Sequence, residues 1–332
     1  MNTEIELYKQ NLINKFNNTY NNNLRNLNNT LKLNIQTIQR SRINNKKKQN
    51  IINNLLIQFN NSIKILQMNL NNDIINIRNF IPKQIKINNK KALLIGINYI
   101  GTNNELYGCI NDVYLVNDRI SNAGFNNIDI LTDNTNKIPT KQNILNSLKN
   151  LLINSVEGDL LFFLYSGHGN YVKDLNGDEL TGYDQIIVPY DLNPITDDEL
   201  KEIIQSDLKQ NVTLFAMFDS CYSGSVLDLK YRYLDTLNYD NYIENNKNLE
   251  TNGSVFMISG CSDYQTSYDS IFNNKPNGAM TWSLIECLKQ NSNITWRELL
   301  KNMRSLLKSN GYPQIPQLSC GKFEDIDIKV FI

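Results

Sequence analysis

One thiol and the only imidazole of the chain each follow a short apolar run that ends in small polar residues. Cys221 follows the run 212–218, and His168 lies between Gly167 and Gly169 after the run 159–165. A thiol is weakly nucleophilic until a base removes its proton, and an imidazole is the natural base near neutral pH. The two side chains together therefore predict nucleophilic catalysis by a cysteine–histidine pair.

Each of these residues also has an ordinary structural explanation. A single histidine can be a satisfied loop residue, and a cysteine can pack as a small apolar side chain. Their common position at the ends of adjacent predicted strands favours catalysis over both explanations. The amides of Gly169 and Cys221 are then predicted to bind the oxyanion, because glycine lets the main chain approach a substrate closely.

From Lys91 onward the pattern alternates between strand and helix, which is typical of a parallel α/β sheet covered by helices on both faces. The carboxyl ends of such strands are where open α/β folds place their chemistry. The predicted strands are 92–97, 128–131, 159–165, 212–218 and 254–259. The predicted helices are 111–123, 140–153, 197–209, 278–290 and 295–309. A hairpin is predicted at 185–189, and an irregular linker at about 228–252.

Residues 1–90 differ from the rest of the chain in charge and composition. They hold fourteen Lys and Arg against three Asp and Glu, a net +11, so the remainder of a chain with zero formal charge carries −11. The Asn-rich sequence predicts either two or three marginal helices or a disordered extension. It is either a regulatory prodomain or an extension without a specific role. The tract at 46–48, KKK, lacks interleaved aromatic residues and predicts a solvated turn rather than a nucleic-acid site.

The cysteines point to a reducing compartment. Five of them, an odd number, are widely spaced without a C-x-x-C pair, which argues against a disulfide framework and structural zinc. The chain starts without a continuous apolar leader and has no run of membrane-spanning length. We therefore expect a soluble, cytoplasmic monomer without nucleic-acid or membrane partners.

From about Lys91 to its end the chain resembles the metacaspases, cysteine peptidases of the caspase-like clan, with the type I architecture. The most specific shared motifs are SGHG, which contains His168, and DSCxSG, which contains Cys221. Further matches are KALLIGINY, LYGCINDV, ITDDEL, GAMTW and PQLS, in family order. The resemblance implies a caspase-like αβα sandwich with a mostly parallel central sheet. It also implies a prodomain-like extension at 1–90, a large subdomain at 91–228, a linker at 229–252 and a small subdomain at 253–332.

The resemblance further implies roles for individual residues. His168 and Cys221 match the catalytic pair. The pocket for the residue before the scissile bond is matched by Cys109, Asp112, Ser166 and Asp219. Two carboxylates in a narrow site favour a guanidinium or an ammonium group, so the expected specificity is for Arg or Lys. Taken alone, Asp112 is equally explained as a helix-start carboxylate that faces the helix dipole.

A second group of carboxylates is similar to the calcium site of the family. Its members are Asp184, Asp197, Asp198 and Asp228. Calcium binds several hard oxygens, and the adjacent Asp197 and Asp198 would repel each other unless a positive charge lay between them. The alternative is that these two residues cap the helix that follows them.

One position departs from the family pattern: Tyr222 stands where many relatives carry a second histidine. The implied function is a calcium-stimulated cysteine endopeptidase that cleaves after Arg or Lys and processes itself at basic residues. The candidate cleavage positions are Lys46, Lys47, Lys48, Lys90, Lys91, Lys230, Arg232 and Lys247. The alternatives are a calcium-independent, paracaspase-like peptidase and a non-catalytic interaction or aggregate-binding protein that acts through its Asn-rich leader.

Overall fold

The chain divides into two units, Met1–Gln84 and Ile85–Ile332. The computed structural model describes residues 2–79, 87–175, 182–221, 223–233, 242–245, 248–260, 269–272 and 275–332. Tyr222, Cys261 and the candidate cleavage position Lys247 lie outside the described residues. Within the described part, no helix combines the length and the apolar character needed to cross a membrane.

The first unit is a pair of long helices, α1 (Asn2–Arg40) and α2 (Asn45–Asn79), joined by four residues. Along α2 the more buried apolar residues recur at helical spacing, among them Leu55, Phe59 and Leu66, and this periodicity overcomes the poor helix propensity of asparagine. The helical form of the N-terminal extension is therefore confirmed. The prediction of a turn at 46–48 is wrong, because the Asn44 side chain accepts a hydrogen bond from the Lys47 amide at 2.9 Å and starts α2 there.

The second unit holds the remaining helices and all the strands of the described chain. Its helices are α3 (Cys109–Asn122), α4 (Lys141–Ile153), α5 (Asp197–Asp207), α6 (Ala279–Gln290) and α7 (Trp296–Ser309). Its first strands are β1 (Lys90–Gly96), β2 (Asn127–Thr132), β3 (Leu160–Ser166), β4 (Gly169–Lys173), β5 (Tyr183–Ile187), β6 (Ile195–Thr196) and β7 (Thr213–Asp219). The later strands are β8 (Tyr231–Tyr233), β9 (Ile243–Glu244), β10 (Ser254–Ser259), β11 (Asp269–Phe272), β12 (Lys275–Gly278) and β13 (Gln317–Cys320).

Eight of these strands form one sheet in the order β2-β1-β3-β7-β10-β13-β8-β9, and the first five are parallel. Alternate residues of the central strands enter two separate apolar cores. Phe162 and Phe215 lie in one core, and Phe163 and Leu214 lie in the other. Both faces of the sheet are therefore buried under helices, which is why these strands read as continuous apolar runs. The predicted caspase-like αβα sandwich is confirmed.

Two local predictions need correction. The hairpin is not at 185–189: β5 pairs antiparallel with β4, with Gly169 opposite Ile187, and its other edge pairs with β6. The stretch 228–252 is not wholly irregular either, because β8 pairs with β13 and extends the main sheet. Both errors concern strands of two to five residues, which are too short to show a period along the chain.

Candidate active site

The predicted nucleophile and base follow neighbouring parallel strands. Ser166, the last residue of β3, lies opposite Asp219, the last residue of β7. His168 and Cys221 each come two residues after this matched pair, and the Gly167 amide lies 3.4 Å from the Asp219 carbonyl oxygen. The sheet register therefore carries the two residues to the same edge of the sheet.

Gly169 brings the histidine segment into contact with the cysteine turn. A Cβ atom at this position would lie only 2.1 Å from the carbonyl oxygen of Cys221 and 3.2 Å from the Ser220 Cβ. A glycine is required here because no other residue leaves the Cys221 peptide enough room. The sequence suggested that this glycine admits a substrate, whereas the structure shows that it admits the cysteine turn. Cys221 itself is partly exposed and forms no disulfide.

The His168 ring is oriented by a main-chain carbonyl. Its Nε2 atom lies 2.8 Å from the Asn104 oxygen. A carbonyl oxygen only accepts hydrogen bonds, so Nε2 carries a proton, and in the neutral imidazole the lone pair is then on Nδ1. The imidazole is thereby prepared to accept a proton at Nδ1. Sequence reasoning missed Asn104, because a backbone carbonyl has no signature in the residue type.

Two buried carboxylates lie beside this edge. The Asp112 Oδ2 accepts a hydrogen bond from the Ser166 hydroxyl at 2.8 Å, and the Gly278 amide lies 2.9 and 3.1 Å from the two Asp112 oxygens. The Asp219 Oδ2 accepts from the amide and the hydroxyl of Thr281, both at 2.8 Å. The first carboxylate is thus held by β3 and β12, and the second by the first turn of α6.

Gly278 lies between the two carboxylates. A Cβ atom on Gly278 would lie 2.2 Å from the Asp219 Oδ2 and 2.8 Å from the Asp112 Oδ2, so both side chains converge on one point. Cys109 is the buried first residue of α3, and its carbonyl oxygen lies against Gly96, the last residue of β1, where a Cβ atom would approach it to 2.4 Å. The structure therefore gathers all four predicted pocket residues around the ends of β1, β3 and β7. Gly278 and Thr281 were missed, since neither residue type suggests a pocket.

The predicted calcium ligands also come together, at the junction of β5 and α5. Carboxylate oxygens of Asp184, Asp197 and Asp198 lie within 4.8 Å of one another. Burial, with contributions from the charges of Asp228 and Asp184, raises the pKa of Asp197 to about 8. The four carboxylates are therefore close enough to interact electrostatically.

The cap of α5 bears on the alternative explanation of this cluster. Thr196 is the N-cap, its hydroxyl accepts from the Glu199 amide, and the Glu199 carboxylate accepts in return from the Thr196 amide. This is a complete capping box. The prediction that Asp197 and Asp198 cap the helix is therefore wrong for the N-cap position, which Thr196 occupies, but one Asp197 oxygen still accepts a hydrogen bond from the first-turn amide of Asp198 at 2.9 Å.

Asp228 lies near these three carboxylates, in an unusual conformation. Its φ is +46°, a region that non-glycine residues seldom adopt. Its Oδ2 atom lies 3.1 Å from the Lys201 ammonium of α5. Carboxylate oxygens are the hard donors that calcium prefers, so the three close carboxylates, with Asp228 beside them, fit the ion. Lys201 already offsets part of their charge.

Comparisons with known proteins identify the family. The family model described as the metacaspase peptidase C14 domain matches residues 90–230. Metacaspase-1 of Schizosaccharomyces pombe is 37% identical, over 73% of this chain and 70% of that protein. Metacaspase-1 of Scheffersomyces stipitis is 37% identical over 72% of each chain, and Metacaspase-1A of Aspergillus oryzae is 38% identical over 70% of this chain and 67% of that protein.

A solved structure supports the fold. The crystal structure of a Geobacter sulfurreducens protein matches with a TM-score of 0.56 at 24% identity, over 74% of this chain and 98% of that one. A match at this low sequence identity supports a shared fold and does not support a shared function. The relatives named above are closer, and they match the chain over most of their own length. The chain therefore belongs to the metacaspases, a family of cysteine-type peptidases.

Proposed function

We propose that this metacaspase is a calcium-stimulated endopeptidase that cleaves after Arg or Lys with a dyad of Cys221 and His168. The observation that carries the proposal is the matched register of β3 and β7, which carries both residues to one edge two positions beyond Ser166 and Asp219. Neighbouring parallel strands with equal offsets deliver their side chains to the same crevice.

In the proposed reaction, the Nδ1 atom of His168 takes the thiol proton as the Cys221 sulfur attacks the substrate carbonyl. The imidazolium then gives this proton to the leaving amine, and water releases the acyl group from the sulfur. The Asn104 carbonyl supports this cycle because it keeps the other proton on Nε2. The amides of Gly169 and Cys221, whose main chains are in contact, are the proposed donors to the oxyanion.

The specificity proposal rests on Asp112 and Asp219. Both are almost completely buried and both converge on Gly278. The donors to these carboxylates include the hydroxyls of Ser166 and Thr281 and the amides of Gly278 and Thr281, which are neutral groups and add no positive charge. A guanidinium or ammonium group would be attracted into such a site, whereas an aspartate side chain would be repelled.

The proposed ligands of calcium are Asp184, Asp197, Asp198 and Asp228. When bound, the ion would supply positive charge that offsets the mutual repulsion of these carboxylates. The chain itself connects this cluster to the catalytic edge. Asp184 belongs to β5, in which Ile187 pairs with Gly169, and the next amide, that of Val188, donates to the His168 carbonyl at 3.0 Å. The position of β5 is therefore coupled to the position of His168.

A calcium-independent peptidase is the second candidate, and one observation favours it. The Lys201 ammonium lies 3.1 Å from Asp228 and supplies an internal positive charge to the same cluster.

The test is the hydrolysis of matched fluorogenic peptides with Arg, Lys or Asp before the scissile bond, each with and without calcium. The proposal expects cleavage after Arg and Lys, stimulated by calcium. Equal rates without calcium would favour the second candidate, and preference for Asp would contradict the pocket assignment.

Self-processing is proposed at fewer positions than the sequence suggests. The tract at 46–48 lies on helix α2, Lys90 and Lys91 lie in β1, and Arg232 pairs with β13. A protease needs an extended, accessible segment, which regular elements do not offer. Among the described candidates this leaves Lys230, directly before β8. Intact masses of the protein and of Cys221→Ala after incubation test the proposal: a product ending at Lys230 only in the former supports it, and identical masses contradict it. The cytoplasmic location, the monomeric state and the subdomain boundaries stay predictions.

A further inference from the structure

Tyr99 has an unusual conformation for a buried aromatic residue. Its φ is +52°, although the side chain is 1% exposed. Left-handed conformations of bulky residues are unfavourable and persist only where the surroundings enforce them, so they often mark functional positions. Here the surroundings are identifiable. The Tyr99 carbonyl accepts hydrogen bonds from the amide and the hydroxyl of Thr102 at 3.1 and 2.8 Å.

The same loop is fixed from a second side. The Asp133 carboxylate accepts from the amides of Asn98 and Ile100, at 2.9 and 3.0 Å, so it holds both neighbours of Tyr99. The Leu106 amide closes the loop on the Asn98 carbonyl at 2.7 Å. This loop, residues 98–106, is therefore pinned at both ends, and its strained residue is held in place by several independent bonds.

The Tyr99 side chain contacts His168 in two ways. Its hydroxyl accepts a hydrogen bond from the His168 amide at 2.9 Å and donates to the Val188 carbonyl at 2.5 Å. Its ring packs on the imidazole, with the ring centroids 4.7 Å apart. The phenol thus supports both the main chain and one ring face of the histidine.

Tyr165 completes the arrangement from β3. Its hydroxyl lies 2.8 Å from the His168 carbonyl, 3.0 Å from the Val188 carbonyl and 3.3 Å from the Tyr99 hydroxyl. A phenol has one proton to donate, so Tyr165 shares it among these acceptors and accepts in turn from the Val188 amide at 3.1 Å. Burial raises the pKa of both phenols, and both hydroxyls therefore stay protonated at neutral pH.

We propose that Tyr99, with Tyr165 as its partner, is the positioning residue of His168: the two hydroxyls hold both main-chain polar groups of the histidine, and the Tyr99 ring together with the Asn104 carbonyl holds its imidazole. This inference rests on the proposed function for its effect on turnover. The geometry itself concerns only the histidine. Asn104 belongs to the same loop as Tyr99. This one segment therefore contacts the Nε2 edge of the imidazole, one face of the ring and the main-chain amide of His168.

The test uses Tyr99→Phe in the full chain, which keeps the ring and removes the hydroxyl. Small misplacements of a catalytic group reduce turnover strongly. We expect kcat on an Arg peptide to fall by about tenfold to a hundredfold, with KM changed by less than about twofold. The matched control is Tyr231→Phe, which removes a buried phenol hydrogen bond to Glu250 of 2.7 Å on a distant strand of the same unit. It should change kcat by less than about twofold.

A second measurement determines the tautomer of the His168 ring in the absence of substrate. Because His168 is the only histidine, incorporation of ¹⁵N-labelled histidine gives one set of ring resonances. Protonated and unprotonated ring nitrogens differ widely in ¹⁵N shift, so the spectrum reports the tautomer. On a Cys221→Ala background, which prevents self-cleavage, we expect the Nε2–H tautomer. We expect Tyr99→Phe to mix the two tautomers and Tyr231→Phe to leave the spectrum unchanged.

The outcomes separate this inference from the proposed function. Loss of kcat with a mixed tautomer in Tyr99→Phe supports it, and an unchanged tautomer with unchanged kcat overturns it. If Tyr99→Phe does not fold, Tyr165→Phe replaces it, and an unaltered spectrum in that variant overturns the inference. If the protein proves not to be a peptidase, the ring spectra still decide whether these phenols orient His168.

Discussion

Two regions of the molecule bury aspartates. One is the candidate catalytic edge, where β3 and β7 end, and the other is the acid cluster of Asp184, Asp197, Asp198 and Asp228. The surroundings of the carboxylates differ between the two regions. At the edge, Asp112 and Asp219 receive amide and hydroxyl donors from Ser166, Gly278 and Thr281. In the acid cluster, Asp197 also accepts two amide hydrogen bonds, from Gln185 and Asp198. Its pKa is nevertheless raised to about 8 by burial and by its acidic neighbours. In the acid cluster, therefore, two amide hydrogen bonds do not offset the effects of burial and of neighbouring negative charge on the pKa of Asp197.

This difference supports the different roles proposed for the two regions. Under the proposed specificity, the two carboxylates at the edge, which are held by amide and hydroxyl donors, would receive the cationic side chain of each substrate. In the acid cluster, burial and then the charges of Asp228 and Asp184 raise the pKa of Asp197, which supports the proposal of a resident cation, and Lys201 supplies part of the positive charge. The following variants test this contrast, beginning with the change expected to have the largest effect.

Removal of the nucleophile tests the edge most severely. Cys221→Ala should reduce kcat on an Arg peptide by about 10⁴-fold or more, because loss of a nucleophile removes covalent catalysis. The matched control is Cys287→Ala, which removes a buried thiol whose pKa is raised by burial to about 11. It should change kcat by less than about threefold. Equal losses in the two variants would contradict a special role for Cys221.

The charge of the pocket is tested by Asp112→Asn. The amide keeps the shape and much of the hydrogen bonding to Ser166 and Gly278 but removes the negative charge. We expect kcat/KM for an Arg peptide to fall by about 10² to 10³-fold, mostly through KM. Asp129→Asn, at an exposed ion pair with Lys137, is the control and should change little. Comparable effects in the two variants would show that the pocket does not depend on the charge of Asp112.

The acid cluster should make stability depend on pH. The folded pKa of Asp197, about 8, lies above its ordinary value of 3.8. The folded state therefore binds the extra proton between these values, and the free energy of unfolding should fall as pH rises from about 4 to 8 by an amount on the order of a few kcal/mol. Asp197→Asn should flatten this slope, and calcium should stabilise the wild type most near pH 8. Denaturant titrations at several pH values measure it, and a slope that Asp197→Asn leaves unchanged would contradict the assignment.

The smallest expected effect concerns Lys201. Lys201→Met removes the positive charge beside Asp228 and should tighten calcium binding by several-fold, because the ammonium competes with the ion for the same carboxylate. Lys141→Met is the control, since Lys141 pairs with Glu199 outside the cluster at 2.8 Å. Isothermal titration with calcium measures both. Weaker binding in Lys201→Met than in the control would show that Lys201 supports the site instead of competing for it.

The sequence predicts those elements of the fold that have a long pattern of apolar residues. The five parallel strands and the helices around them follow from apolar periodicity, and the paired strand ends follow from the parallel sheet. What it misses depends on short or main-chain features. Strand β13 has four residues and reads QLSC, which has no clear period. The Asn104 carbonyl and the Tyr99 hydroxyl act through contacts between segments distant in sequence, which no local pattern encodes.

Acidic residues illustrate the same division. Asp197 and Asp198 have the composition of a helix start, and the sequence left open whether they cap α5. Only the structure shows that Thr196 and Glu199 already perform that role. The carboxylates of Asp184 and Asp228 come from β5 and from the loop after β7, so their approach to Asp197 is a property of the folded sheet.

The most direct test of the central claim is to trap the nucleophile. An arginyl peptide bearing an acyloxymethyl ketone should alkylate the calcium-loaded protein once, and peptide mapping should place the adduct on Cys221. Tyr231→Phe should be alkylated at the same rate, and His168→Ala should be alkylated at least about a hundredfold more slowly, because the thiol has lost its base. An adduct on any other cysteine, or an undiminished rate in His168→Ala, would contradict the proposed dyad.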